Sequence, residues 1–304
     1  MELEEFKVLT QGRWKLWKTW QDKEWWYTEV HDSSSGLYLG FGVTRVALLD
    51  SVHVLVFEPG SLKPRKWDWK GFLEPGQENR LHLVTGNRSF EFASTGSAED
   101  GWEHRIRTKG LEVDLASKPT RPVFTKFDDT LDMEYGLLHF FGNRVTGSVE
   151  LDGRRYAMDS ALGYADHCFG HVPRRTAWHW LAVQNETVAL AALVNYGVDG
   201  QKYCEAWVDG ETRWIRLDQD VSFECDLAGR WKHPWKITSP DLDLELELEG
   251  HELRKERIPP LVPFLVRLDH HECRVRVKGR IRVDGHWGDA GILHGVLEQH
   301  GGRW

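Results

Sequence analysis

LDLELELE (Leu242–Glu249) alternates apolar and acidic residues without a break. Leu242, Leu244, Leu246 and Leu248 fall on one side of an extended chain; Asp243, Glu245, Glu247 and Glu249 fall on the other. That period of two predicts a half-exposed β-strand. CRVRVKGRIRV (Cys273–Val283) has the same period and the opposite charge, with Arg274, Arg276, Lys278, Arg280 and Arg282 outward. The two segments are expected to pair as neighbours, charge against charge. Gly279 is read as a bulge or bend. A basic stripe of this kind can also serve an anion, but the acidic complement close by favours a solvated sheet face.

Outward from this pair the chain keeps the same character. RVTGSVELDGRRYAMDSALG (Arg144–Gly163) reads as a hairpin turning at Asp152-Gly153. WVDGETRWIRL (Trp207–Leu217) and IRVDGHWG (Ile281–Gly288) repeat the device. Short runs of Val, Leu, Phe, Tyr and Trp recur between turn residues, and almost nothing reads as helix. The prediction is an all-β protein of barrels or sandwiches. One small barrel does not use 304 residues, so two β units are expected, residues 1–172 and 173–304. The Pro173-Arg174-Arg175 stretch marks the join. RKERIPPLVPF (Arg254–Phe264) is read as a proline-rich loop at an edge or barrel mouth.

Composition narrows the function classes. With 47 Asp+Glu against 39 Lys+Arg the net charge is −8, which disfavours general nucleic-acid binding. No apolar run approaches the roughly 20 residues of a membrane helix, and MELEEFKVLT has no signal-like apolar core. The expected setting is the cytoplasm, without stable membrane insertion. The four cysteines (Cys168, Cys204, Cys225 and Cys273) lack close spacing and are read as reduced thiols. The 16 tryptophans point to ligand-lining surfaces.

Three segments carry candidate chemistry. Five tryptophans (Trp14, Trp17, Trp20, Trp25 and Trp26) crowd RWKLWKTW and EWWYTEV. On a strand Trp25 and Trp26 face opposite ways, so one lines the interior and the other an outer surface. GYADHCFGHVPRRTAWHWLAVQ (Gly163–Gln184) holds Asp166 and His167 in a glycine-flanked stretch, then Trp178 and Trp180 on one strand face with His179 on the other. An Asp beside aromatic walls suits a general acid. Asp166, His167, Cys168 and His171 are ligand-type residues, with His270, His271 and Cys273 as further candidates. Neighbours on an extended chain diverge, so no metal is expected. In GVLEQHGGRW (Gly295–Trp304), Glu298 and His300 share a side; Glu298 is a candidate second carboxylate for Asp166. There is no nucleophile elbow, phosphate loop or dinucleotide fingerprint.

Glu24-Trp25-Trp26-Tyr27 resembles the EWWY signature of the AttH-like and carotenoid 1,2-hydratase (hydroxyneurosporene synthase) superfamily. Gly163-Tyr164-Ala165-Asp166-His167-Cys168-Phe169-Gly170 resembles its GxxDHxWG segment, with Phe169 where the motif usually has Trp. Trp178-His179-Trp180 is similar to its WxW strand. The second half looks more like an uncharacterised bacterial branch that ends in a G-x-x-E-x-H…W tail. The resemblance implies two lipocalin-like β-barrels and a ligand cavity. It implies a cofactor-free enzyme that protonates a double bond of an isoprenoid- or polyketide-like molecule, leading to hydration, isomerisation or cyclisation. Asp166 is the implied acid, with His167 or Glu298 holding water or tuning it. Trp25, Trp26, Tyr27, Tyr164, Trp178, Trp180 and His300 are the implied ligand walls. The alternatives are a carrier of an apolar ligand and a carbohydrate-active protein using Asp166 with Glu298. The expected partner in the leading reading is an apolar small molecule, not a nucleic acid.

Overall fold

The computed structural model describes residues 22–46, 49–74, 80–84, 89–97, 100–128, 135–159, 161–171, 175–196, 202–225, 235–258 and 266–303. Trp14, Trp17, Trp20, the Pro173-Arg174 join and residues 259–264 of the proline-rich stretch lie outside them. Every regular element among the described residues is a strand. The protein is all-β, with two lipocalin-like barrels. Its contacts divide it into Met1–Pro59 with Arg65–Val172, and Gly60–Pro64 with Pro173–Trp304.

The first unit holds β1 (Asp22–Asp32), β2 (Tyr38–Val46), β3 (Leu49–Phe57), β4 (Arg65–Glu74), β5 (Arg80–Val84), β6 (Phe90–Ser97), β7 (Gly101–Thr108), β8 (Leu111–Lys118), β9 (Phe124–Asp128), β10 (Tyr135–Leu151), β11 (Arg154–Ala157) and β12 (Ala161–His171). Strands β1 to β8 run as a meander. β12 pairs with β1, β10 with β12, and β8 with β10, which closes the ring. Closure leaves no edge among the ring strands. β8 shows how sequence sets the faces: LEVDLASK alternates buried and exposed along its whole length. Val30, Phe41, Val54, Phe92, Ile106 and Val113 fill the interior.

The second unit holds β13 (Arg175–Gln184), β14 (Val188–Asn195), β15 (Lys202–Val208), β16 (Ile215–Arg216), β17 (Ser222–Glu224), β18 (Trp235–Ser239), β19 (Leu242–Ile258), β20 (Val266–Val283), β21 (His286–Asp289) and β22 (Leu293–Arg303). Their order is β16-β15-β14-β13-β22-β20-β19-β18-β17, with β21 on β20. Leu181, Val183, Leu190, Trp235, Leu244, Val275 and Leu297 belong to its core.

The acidic and basic segments are β19 and β20, and they pair. Asp243–Arg280 (3.0 Å), Glu247–Arg276 (3.4 Å) and Glu245–Lys278 (3.6 Å) bridge their solvent face, with Asp241–Arg282 (2.7 Å) beyond them. Asp243→Ala is expected to cost under about 1 kcal/mol, because exposed pairs gain little against water. Urea midpoints should show that loss vanishing in about 1 M salt, where the Debye length is only about 3 Å.

Two hairpins turn as read. Asp152-Gly153 and Asp284-Gly285 have positive φ at both positions, the type I′ signature. Three expectations need correction. Asp209-Gly210 does not join its strands directly: β15 ends at Val208 and β16 begins at Ile215, and Trp207 Nε1 donates to Glu211 O (2.8 Å) inside that longer loop. Arg254–Ile258 is not loop but the end of β19, held by pairing to β20. The bulge of this pair falls between Leu248 and Gly250, not at Gly279, whose register to Leu244 is regular. Gly279 is needed for close approach instead, since a Cβ there would lie 2.1 Å from Asp243 O.

Candidate functional site

β1 and β12 lie side by side with Trp25 opposite Cys168, Trp26 opposite His167, Tyr27 opposite Asp166 and Glu29 opposite Tyr164. Directly opposed residues share a face, and alternation separates the two faces. Trp26 and His167 therefore face the interior, where Val30 sits in the core. Their rings stack with centroids 4.3 Å apart and 8° between planes. His167 Nε2 lies 2.9 Å from Glu24 Oε1, and both side chains are buried.

Trp25, Tyr27, Glu29, Tyr164 and Asp166 share the opposite face. Asp166 is only 7% exposed and Tyr164 is fully covered. β10 places His139 directly opposite Asp166. Tyr164 Oη donates to Asp166 Oδ2 at 2.9 Å, and His139 Nδ1 lies 2.6 Å from Tyr164 Oη. Tyr164 gives its one proton to Asp166, so His139 donates from Nδ1. Burial pushes the His139 pKa down to about 3, so its ring is neutral at neutral pH. The result is a directed chain, His139 to Tyr164 to Asp166.

A second carboxylate stands on the same face. Glu29 Oε2 accepts from Tyr38 Oη at 2.6 Å, and Tyr38 Oη lies 3.0 Å from Tyr27 Oη. Glu29 is a diagonal neighbour of Asp166 across the β1–β12 pair, a position typically about 7–8 Å away. Gly42 stands opposite Tyr27, and the His53 ring occupies the space its side chain would take: a Cβ there would lie 2.4 Å from His53 Cε1. Tyr27 and His53 consequently stack at 6.3 Å.

In the second unit β22 lies beside β13, placing His300 opposite Trp178 and Glu298 opposite Trp180. The Trp178 and His300 rings stack at 3.8 Å, Trp178 Nε1 donates to Glu298 Oε2 at 3.4 Å, and His300 Nε2 lies 3.0 Å from Thr176 Oγ1. Trp180 is buried and packs on Tyr203. His179 takes the core face, as alternation requires, and stacks on Phe223.

These placements sort the candidates. Asp166, Tyr27, Tyr164 and Trp25 share one face. Trp26 and His167 are on the other side of the same strands, and His167 Nε2 meets Glu24 rather than Asp166. Trp178, Trp180, Glu298 and His300 form their own cluster, in a different unit from Asp166. Within the unit of Asp166, Glu29 is a buried carboxylate that shares its face. Glu29, Tyr38, His139 and Glu24 were not among the sequence candidates. Glu29 was within reach, since it sits two residues after Tyr27 and must share its face. Among the described residues no group of three or more His, Cys, Asp or Glu side chains is arranged to hold a metal.

The fold has solved relatives. A protein described as an AttH from Nitrosomonas europaea matches with a TM-score of 0.63 and 15% identity, over 91% of this chain and 92% of that one. Kievitone hydratase from Nectria haematococca matches with a TM-score of 0.59 and 10% identity, over 94% of this chain and 90% of that one. What this chain shares with these two proteins is the fold. No curated protein matches the sequence. The pattern of the family described as "Domain of unknown function (DUF2804)" matches residues 104–304, taking in β12, β13 and β22, and the chain belongs to that family.

Proposed function

We propose that the protein is a hydratase-type enzyme that adds water across, or removes it from, a double bond of an apolar isoprenoid- or polyketide-like molecule, with Asp166 as proton donor. The observation that carries this is the buried His139–Tyr164–Asp166 chain on a face shared with Trp25 and Tyr27. The fold shared with a protein named kievitone hydratase supports the reaction class. In the hydration direction the Asp166 carboxyl gives its proton to one alkene carbon, and the π electrons form the new C–H bond. The cation left on the other carbon faces aromatic rings that stabilise it. Water attacks that carbon, and its surplus proton goes to the Asp166 carboxylate, directly or by way of Glu29, which restores the acid. Oxidation state is unchanged overall and the step consumes only water. Tyr164 fixes the carboxyl orientation and supports the anion left after proton transfer. The ligand in this reading is a small apolar molecule.

The test is incubation with prenylated aromatics and linear polyenes in isotope-labelled water. The expected result is label in a product hydroxyl. Ligand binding with no label incorporated overturns the reading in favour of a carrier. Tyr164→Phe removes a donor to the carboxylate and should lower kcat by about 10- to 100-fold, or about 1.4–2.7 kcal/mol, with KM little changed. Its acid then holds its proton to higher pH, so the alkaline limb of the pH–rate profile should move upward.

A further inference from the structure

The long β19–β20 pair answers its cations with acids, from Arg274–Glu249 (3.2 Å) out to Arg282–Asp241. The opposite end of the same sheet does not. Arg267 of β20 stands directly opposite Arg303 of β22, and Arg303 directly opposite Arg175 of β13. Like charges directly opposed in an antiparallel pair repel. Among the described residues none of these three arginines is in an ion pair.

Counting by twos from the core residues Leu297, Cys273 and Leu181 puts Arg303, Arg267 and Arg175 on the core-facing side, at the strand ends. A cavity of about 320 Å³ opens there, lined by Arg267, Asp269, Gly301, Gly302 and Arg303. A Cβ at Gly301 would meet nothing within 4 Å, so the space beside it is open. Among the described lining residues Asp269 is the one carboxylate, against two guanidinium groups, with Arg175 beside Arg303 on the next strand.

We propose that this end of the second sheet binds a small phosphorylated molecule, its phosphate bridging Arg267 and Arg303 with Arg175 adding charge. Guanidinium forks match phosphate oxygens two at a time, and a dianion cancels the repulsion that the bare row carries. The cavity is at the small end of the range for small-molecule sites, which favours a compact ligand over a polymer backbone. The three arginines all belong to the second unit, and the proposal stands whether or not Asp166 is catalytic.

The test uses the full chain, with inorganic phosphate and pyrophosphate as probes and potassium chloride at matched ionic strength as reference. Both anions should raise Tm beyond the chloride reference in a saturable way, pyrophosphate at lower concentration. By titration calorimetry, Arg267→Gln and Arg303→Gln should each weaken pyrophosphate by about tenfold or more. Each substitution removes a like charge, so both variants should keep or gain Tm without ligand. Arg280→Gln, on the paired part of β20, should bind as the parent does. The proposal is overturned if phosphate does no more than chloride, or if Arg280→Gln weakens binding as much as Arg267→Gln. It is also overturned if duplex DNA or phosphatidylserine vesicles displace pyrophosphate and depend on Arg267, which would make the row a macromolecular or lipid contact.

Discussion

Replacing Asp166 with asparagine is expected to lower kcat by about 100- to 10,000-fold, the range for loss of a positioned proton donor, while the affinity for an apolar ligand stays within a few fold. Asparagine keeps the shape of the side chain and still accepts from Tyr164 Oη, so the His139–Tyr164 geometry survives. It has no acidic proton to give the alkene. The near-isosteric change also keeps the fold intact, which circular dichroism can check. Single-turnover kinetics with ligand-binding titration separates the two effects. Unchanged kcat in a folded Asp166→Asn would remove Asp166 from the chemistry, and equal loss of binding and turnover would make it a ligand anchor. Glu29→Gln adds a distinction: if Glu29 takes the proton released by water, its loss should depress hydration more than exchange of substrate hydrogen with solvent.

Acid should unfold the first barrel abruptly. His104 sits in the barrel interior between Ser94 Oγ and Ser117 Oγ, each 3.0 Å from a ring nitrogen, and burial pushes its pKa down to about 4. His139 is pushed down to about 3. Both folded values lie below the unfolded value near 6.5, so between them the unfolded chain binds protons that the folded chain refuses. The stability these rings allow is fully present above about pH 6.5 and is lost as pH falls toward 4. Each contributes at most about 1.4 kcal/mol per pH unit, so the pair gives roughly 2–3 kcal/mol per unit near pH 5. That is a large part of a typical domain's 5–15 kcal/mol. Urea midpoints measured across this range should fall accordingly. In His104→Gln the slope should drop by about 1.4 kcal/mol per pH unit, whatever the substitution does to absolute stability. An unaltered slope would mean that the ring does not have to charge when the barrel opens.

The strands and faces were legible because a period of two speaks locally. LDLELELE and CRVRVKGRIRV announced both their exposure and each other, and the charge ladder followed. The opposed orientation of Trp25 and Trp26 and the shared face of Trp178 and Trp180 followed from counting alone. The core of the candidate site was not legible, for a specific reason. Extending the Val145–Ala161 and Arg144–Leu162 register straight back along the chain would set Phe140 opposite Asp166. A bulge between Phe140 and Asn143, with Gly142 at φ 68, shifts the register by one and delivers His139 instead. Asp166 belongs to the first unit and Glu298 to the second, each beside an aromatic strand of its own unit. The arginine row was hidden for a related reason: Arg175, Arg267 and Arg303 are far apart in sequence and meet only through three-strand pairing.

Among the described residues the first strand of each unit's main run pairs with the last: β1 with β12, and β13 with β22. The Tyr27–Asp166 and Trp178–His300 positions lie on those two seams. Contacts of such long sequence separation are slow to form, since the chain loses loop entropy before they reward it. On a ribosome, β1 must wait for more than a hundred further residues before Asp166 exists to face Tyr27. Each cluster therefore needs both of its strands present, and a chain cut before β12 or before β22 lacks it. Chemistry performed at either seam reports that the seam has shut.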